Sequence, residues 1–420
     1  MPSNLTLIQL ISEQTMQNLV PLLALKPARV IHLATPKTAG RSAHIVEAAR
    51  QAQVNVCVEN IRLSEMPTIP ETSRAVLRAI GIERERASIP VVNFTGGTKL
   101  MSIGAYEAAL REQAVSLYVD TDHQQFLDGH TGPKLNTVLG DDFSFTSFQQ
   151  TLTVNTIAVA NGRERVTDGR DWAPLLPLAR HMWERPATEL AVHEACYGKG
   201  GLMPRGQTPR SPDQWLQLLD RTFTLPVEIA RLALEVGLIR PGADGTWQLP
   251  DAPRAELQEL ADSRARNTFV PDYDPRRIAA TDLAQFPMTF LTGGWWEVMV
   301  AAAFERSGLF RDIRWSAVTG ERNGADLEED LLAVDGVQIA CISCKRGGSG
   351  GRLLPHLEEF NARARRLGGN FTRRFLALYF PPQGKSGANI RQRATELGIR
   401  LLTPADLSKP DAFARSGVRS

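Results

Sequence analysis

The chain of 420 residues contains only four cysteines, Cys57, Cys196, Cys341 and Cys344. Apart from the last two they are widely scattered, so no disulfide framework is expected and a reducing compartment fits. Cys341 and Cys344 make at most half of a zinc site, because no second pair lies near and their spacing on a strand would turn the thiols to opposite faces. The seven histidines show neither metal-ligand spacing nor a Ser/His/Asp order. An excess of one charge is also missing. With 48 Lys and Arg against 46 Asp and Glu, no global basic field exists, and any polyanion site must be local. No apolar run approaches the roughly 20 residues of a membrane span, and residues 1–10 lack the basic start and apolar core of a signal peptide. A cytoplasmic protein without membrane association is expected. There is no internal repeat or low-complexity tract, and the length suits about two or three domains.

What the chain does have is Thr95-Gly96-Gly97-Thr98-Lys99, set between an apolar run at 89–94 and a helix-like run at 100–112. The first run is short and rich in β-branched residues, as a buried parallel strand should be. The glycines allow backbone to approach a ligand, Thr95 or Thr98 can cap the helix, and the N–H groups at its start attract negative charge. Lys99 adds a mobile cation. The turn has neither P-loop spacing nor the dinucleotide fingerprint.

Around it the chain alternates. Strands are expected at 5–11, 29–34, 54–58, 89–94 and 114–120, with helices at 16–25, 42–51 and 100–112, which predicts a doubly wound, Rossmann-like parallel sheet. Ligands of such sheets bind outside the carboxyl ends of the strands. Ser12-Glu13-Gln14-Thr15, Thr35 to Thr38 and the glycine turn all fall there, so three polar turns converge on one rim. Edge hairpins are expected over 117–138 and a strand-like stretch over 143–159. In the middle, helices at 172–183, 214–219 and 225–235 precede a glycine-marked β-wing at 237–249, a winged-helix-like pattern. Lys199, Arg205 and Arg210 lie in a Gly- and Pro-rich connector.

The last third begins at Pro271. Thr292-Gly293-Gly294 is expected to cap a helix over 295–307 that carries Glu297 near its start. After a strand at 313–317, the acidic run Asp326-Leu327-Glu328-Glu329-Asp330 opens one arm of a hairpin that turns at Asp335-Gly336, and Lys345 closes the other arm. Metal-activated hydrolysis of a phosphodiester needs carboxylates for Mg²⁺ or Mn²⁺ and a cation for the phosphate. Helical Glu297, strand Asp330 and strand Lys345 can meet in one cleft. Arg346, Arg352, Arg363, Arg365, Arg366, Arg373 and Arg374 make the following stretch locally basic, as a phosphate backbone would require. Trp295 and Trp296 are expected in the core or on a cleft wall.

Leu10-Ile11-Ser12-Glu13-Gln14-Thr15 together with the turn at 95–99 resembles a CARF domain, the sensor of cyclic oligoadenylates in type III CRISPR defence. Gly293-Gly294-Trp295-Trp296-Glu297, Glu328-x-Asp330-Leu331-Leu332-Ala333-Val334 and Ile342-Ser343-Cys344-Lys345 resemble the PD-(D/E)xK, restriction-endonuclease-like domain of the CRISPR ancillary nucleases. The resemblance covers both ends of the chain. It implies a CARF sensor over 1–150, a linker with the winged-helix-like module over 151–270, and an α/β nuclease-like domain over 271–420. It also implies a homodimer that binds cyclic tetra-adenylate and then cleaves DNA, RNA or both with Mn²⁺ or Mg²⁺. By position, Ser12, Glu13, Gln14, Thr15, Thr95, Gly96, Gly97, Thr98 and Lys99 would line the ligand site, with Thr35 and Thr38 on the same rim. Asp330 and Lys345 would be nuclease residues, with Glu297 assisting at the metal.

One position departs from the pattern. Where the family most often has Glu, this chain has Ser343, a poor Mg²⁺ ligand, and Glu328 or Asp326 would have to compensate. Two functions therefore stand: an allosteric nuclease, and a cyclic-oligoadenylate-responsive DNA-binding regulator whose nuclease domain no longer cuts. Ser343 favours the second; the scarcity of basic residues over 225–248 disfavours it.

Overall fold

Short apolar runs alternating with helices build a six-stranded sheet from β1 (Leu5–Leu10), β2 (Arg29–Ala34), β3 (Cys57–Arg62), β4 (Ile89–Asn93), β5 (Val115–Asp120) and β6 (Gln125–Asp128). The strand order is β3-β2-β1-β4-β5-β6; the first five are parallel, and β6 returns antiparallel to β5. Helices α1 (Met16–Leu25), α2 (Ala39–Gln51), α3 (Ile69–Glu85) and α4 (Lys99–Arg111) connect the strands. Neighbouring residues of β1 serve opposite faces, as the pleat dictates. Leu5 and Leu7 pack with Leu19, Leu23 and Ile45 of α1 and α2, while Ile8 packs with Val76, Ile80 and Met101 of α3 and α4. The sheet is Rossmann-like, and β1 and β4 lie side by side where its winding reverses. α3 adds to the expected alternation; Thr68 caps it by accepting a hydrogen bond from the Glu71 N–H at 3.3 Å.

These are the elements of a computed structural model that describes residues 4–121, 123–129, 139, 143–203, 209, 211–265, 275–320, 327–347 and 350–414. Asp326, Arg205, Arg210 and the end of the expected edge hairpins, 130–138, lie outside the described residues. Contacts divide the chain into two units, one drawn from Met1–Arg170, Phe304–Ser343 and Gly348–Ser420, the other from Asp171–Ala303 and Cys344–Gly347.

The first unit holds a second six-stranded sheet, in the order β14-β13-β12-β11-β10-β7. Its strands are β7 (Arg165–Val166), β10 (Arg311–Gly320), β11 (Leu327–Asp335), β12 (Gln338–Gly347), β13 (Arg373–Phe380) and β14 (Ile399–Leu402). β10, β11 and β12 form an antiparallel meander, and β13 and β14 are parallel. One apolar core runs through both sheets, joining Leu5 and Leu7 to Leu332, Val334, Leu357, Phe360 and Leu376.

The expected strand at 143–159 is absent. Phe143, Phe145 and Phe148 cluster around Phe126 instead, and a helix, Val154–Ala160, follows, capped by Thr153 through the Thr156 N–H at 3.1 Å. Alternating Thr and apolar residues there serve a capped helix buried on nearly every side, so tertiary burial overrides strand propensity.

The second unit is mainly helical. Helix Val227–Glu235 leads into the two-residue strands β8 (Arg240–Pro241) and β9 (Trp247–Gln248), paired antiparallel. The expected cap at 292–294 proves to be the interior of a helix. Pro275–Thr289 passes through a π-helical turn, Phe290–Gly294, into Trp295–Arg306, and the Thr292 hydroxyl donates back to the Met288 carbonyl at 2.7 Å. Phe290, Leu291, Trp295 and Trp296 are all fully buried, and that burial holds a helix through residues that would otherwise end it. Trp296 packs on Trp183 with ring centroids 5.7 Å apart, so the tryptophan pair is core.

Candidate functional site

Two polar turns meet at the β1/β4 junction. In the turn at 95–99, Thr98 caps α4, its Oγ1 accepting from the Met101 N–H at 3.3 Å. Gly97 has φ +76°, a left-handed conformation that favours glycine, and a Cβ on Gly96 would overlap the Leu10 carbonyl oxygen. Both glycines are therefore dictated by geometry. Gly97, Thr98 and Lys99 are exposed, Gly96 is buried and Thr95 is half-buried. Thr95 is fixed from both ends: its N–H donates to Asn93 Oδ1 at 3.1 Å, and its Oγ1 accepts from the Val119 N–H at 2.7 Å.

In the opposing turn, Ser12 Oγ accepts from the Gln14 N–H at 3.1 Å. Asn18 braces this turn against the end of β1: its Nδ2 donates to the Leu10 carbonyl at 2.8 Å, and its Oδ1 accepts from the Ser12 N–H at 3.3 Å. Glu13 is exposed and pairs with Lys37 at 2.8 Å. Hydrogen bonding to that ammonium, with its charge, holds the Glu13 carboxyl below its usual range. Thr38 Oγ1 accepts from the Thr35 N–H at 3.1 Å and closes the turn after β2. Two expected rim residues face inward. Thr15 is buried and donates its hydroxyl to Asn161 Oδ1 at 3.0 Å, and Thr35 is buried as well. The half-buried or exposed side chains of Ser12, Glu13, Gln14, Thr38, Thr95, Thr98 and Lys99 remain at the strand ends, beside the open N-terminus of α4. Chemically this is a crevice for an anion with hydrogen-bonding groups.

The second candidate site lies on the meander. Ser343 Oγ donates to Asp330 Oδ2 at 3.0 Å and meets His356 Nε2, also at 3.0 Å. Because the hydroxyl proton is committed to the carboxylate, His356 donates to Ser343 from Nε2. His356 comes from the helix Gly350–Gly368 and stacks on Phe360, with ring planes 10° apart. Sequence reasoning missed it, since a histidine 13 residues beyond Ser343 has no motif spacing. Glu328 accepts from the Ser316 hydroxyl. Next to Asp330, Glu329 is fully buried, and burial pushes its carboxyl up to about 7 against the pull of Arg363, whose Nε lies 3.2 Å away.

The basic stretch is less available than its composition implies. Arg363 serves Glu329, Arg373 binds Asp335, Arg374 donates to Asn361 Oδ1 at 2.6 Å, and Arg346 pairs with the buried Glu189. Arg352, Arg365 and Arg366 stand exposed on the helix Gly350–Gly368. Glu297 and Lys345 belong to the helical unit, Glu297 one turn beyond the π-turn and Lys345 near the end of β12. All four cysteines are free thiols.

Among the described residues, no three His, Cys, Asp or Glu side chains converge as a ready-made metal cluster. The Asp330 carboxylate, which shares Ser343 Oγ with His356, fits a divalent ion such as Mg²⁺ or Mn²⁺; with its Nε2 proton given to Ser343, His356 has only Nδ1 to offer a metal. Water and phosphate oxygens commonly complete such a shell.

Residues 6–136 match the family model described as the Card1 CARF domain. The first sheet is thus of the CARF type, as the motifs at its rim implied. The fold of the whole chain is similar to Can2 from Sulfobacillus thermosulfidooxidans, solved in complex with cyclic tetra-adenylate, with a TM-score of 0.62, 17% identity, and 97% of this chain and 95% of that chain covered. It is also similar to protein VC1899 from Vibrio cholerae, with a TM-score of 0.68, 12% identity and coverage of 96% and 95%. A third likeness, with a TM-score of 0.56 and 16% identity, is to a type III CRISPR defence DNA nuclease activated by cyclic oligoadenylate; it covers 99% of this chain and 53% of that one. At such identities the likeness is one of fold. No curated protein matches the chain, and no described helix is long and apolar enough to cross a membrane.

Proposed function

We propose that this chain is a metal-dependent nuclease of type III CRISPR defence, activated by cyclic tetra-adenylate bound at the crevice between β1 and β4. The observation that carries the reading is the coincidence, within a CARF-type sheet, of two polar turns and a helix N-terminus at the point where the winding reverses. The half-buried or exposed groups of that rim, Ser12, Gln14, Thr38, Thr95, Thr98 and Lys99 with the Gly96-Gly97 backbone, would receive the phosphates and ribose hydroxyls of the ring. Can2, solved with cyclic tetra-adenylate, and the CRISPR DNA nuclease activated by cyclic oligoadenylate, both similar in fold, support such a ligand and such an output.

A two-fold ring suits a homodimer. Leu100 and Ile103, about half exposed at the start of α4, offer an apolar surface next to the rim. Closure around the ligand requires that it bind the closed state more tightly than the open one.

For cleavage, Asp330 would hold Mn²⁺ or Mg²⁺, with Glu328 two residues before it on β11 as a further carboxylate and His356 offering Nδ1. The ion supplies an activated water and a Lewis acid for the phosphate when bound. Lys345 offsets negative charge at the scissile phosphate, and Arg352, Arg365 and Arg366 attract the backbone of DNA or RNA. Ser343 keeps Asp330 and His356 in register.

That same serine favours a second reading, a ligand-responsive DNA-binding regulator using the hairpin β8–β9 and its helix, with cutting lost. Incubation of plasmid, single-stranded DNA and single-stranded RNA with Mn²⁺ or Mg²⁺, with and without cyclic tetra-adenylate, tests both. Ligand-dependent strand loss supports the nuclease; a specific duplex shifted in a gel without strand loss supports the regulator.

A further inference from the structure

Four residues at matching heights in the first sheet are polar where a parallel sheet is normally apolar. Gln9 pairs in register with His32 on one side and Asn93 on the other, and His32 pairs with Asn60 of β3. Gln9, His32 and Asn93 are completely buried, and Ser42 of α2 is nearly so. Uncompensated, such groups would cost several kcal/mol. Each is instead bonded to the next: Asn93 Nδ2 to Gln9 Oε1 at 3.4 Å, Gln9 Nε2 to His32 Nε2 at 2.9 Å, His32 Nδ1 to Ser42 Oγ at 2.7 Å, and Ser42 Oγ to Asn60 Oδ1 at 2.8 Å.

The row has one direction. Ser42 has a single proton and gives it to Asn60 Oδ1, so it must accept from His32 Nδ1–H. A neutral His32 then has only Nε2 left, as an acceptor for the Gln9 amide N–H, which turns Gln9 Oε1 toward Asn93. Burial keeps His32 neutral by lowering its pKa to about 4. The outcome falls on Asn93. With Nδ2 directed at Gln9, it also donates to the Gln17 carbonyl at 2.9 Å, just beyond the turn at 12–15, while its Oδ1 receives the Thr95 N–H at 3.1 Å. The carboxamide thus ties the first turn of α1, into which the turn at 12–15 leads, to the turn at 95–99. Were it flipped, both bonds would face like against like.

We propose that Gln9 and His32 are positioning residues that fix the Asn93 carboxamide, and through it the spacing of the two rim turns that receive the ligand. The inference rests on the reading of that rim as a cyclic-oligoadenylate site. Gln9→Leu/His32→Leu removes the middle of the row together with the bond between the two positions, and leaves one Asn93 Nδ2 proton and one Ser42 lone pair without their partners, so some loss of stability is expected. A merely structural role would move the melting temperature alone.

The test uses the full chain and two readouts, the dissociation constant for cyclic tetra-adenylate and amide hydrogen exchange across residues 94–99. In the folded double variant, affinity should fall at least about ten-fold, and exchange over 94–99 should quicken with or without ligand. His32→Gln, whose amide oxygen can stand in for Nε2, should stay within about three-fold of wild type. Unchanged exchange overturns the proposal, as does affinity within two-fold of wild type in a chain that binds. If the wild-type chain binds no cyclic tetra-adenylate, the functional reading fails, and the exchange result alone upholds or overturns the positioning role. Should the double variant not fold, Ser42→Ala breaks the same row at its far end and is judged by the same two readouts.

Discussion

At the scale of single residues, the glycines of the rim leave the least room for change. Gly96→Ala would drive a methyl group into the Leu10 carbonyl oxygen, and Gly97→Ala would hold alanine in the left-handed region at a cost of about 1 kcal/mol. Gly96→Ala should therefore lower the melting temperature more than Gly97→Ala, and both should weaken cyclic tetra-adenylate binding in a titration.

His356 makes the complementary prediction at the other site. His356→Ala should cut Mn²⁺-supported cleavage at least ten-fold and leave ligand affinity unchanged, since the residue belongs to the helix behind the meander and not to the rim. Equal cleavage by wild type and variant would remove His356 from the site.

His32 carries a pH signature. Its folded pKa of about 4 lies below the ordinary value of 6.5, so below about pH 6.5 the unfolded chain takes up a proton that the folded chain refuses. Stability linked to His32 is complete above that value and is lost as pH falls toward 4, by about 3 kcal/mol for the full shift. Glu329 acts in the opposite sense. Its carboxyl, raised from 4.5 to about 7, removes stability as pH rises through the interval between those values. Wild type alone mixes the two trends. The difference in melting temperature between wild type and His32→Gln isolates the first, and it should shift against the wild type as pH is lowered from 6.5 to 4.

At the scale of elements, β1, β2, β4 and β5 and helices α1, α2 and α4 were legible because buried parallel strands are near-continuous apolar runs and the turns between them carry their own capping chemistry; α3 was not expected, and β3 runs over Cys57–Arg62 where 54–58 was expected. Thr98, Gly96 and Gly97 act as their types predict. The stretch at 143–159 was not legible, because alternation of aromatic and β-branched residues suits a half-buried strand and an aromatic cluster followed by a capped helix equally well. The π-turn at Phe290–Gly294 was hidden for a related reason, since a Thr-Gly-Gly run signals a helix boundary unless tertiary burial carries the helix through it. His356 reaches Ser343 only through the placement of a helix against a strand, information that no local spacing contains. The start of α4 makes its own prediction: Leu100→Lys/Ile103→Lys should convert a dimer at micromolar concentration into a monomer by light scattering, while a dimer that persists would exclude this surface.

At the scale of the whole molecule, the proposed ligand rim lies at the switch point of one sheet, and Asp330, Ser343 and His356 lie on the other sheet and its covering helix. The two sheets of the first unit share a continuous core, a physical route by which a change at the rim can bias the meander. The central claim is that the rim's ligand gates hydrolysis. Its most direct test is cleavage of nucleic acid in Mn²⁺ by wild type and Asp330→Ala, each with and without cyclic tetra-adenylate, with ligand binding measured on the same samples. The account predicts cutting only by wild type with ligand present, and equal ligand affinity for both chains. Cutting that ignores the ligand, or that survives Asp330→Ala at the wild-type rate, would contradict it.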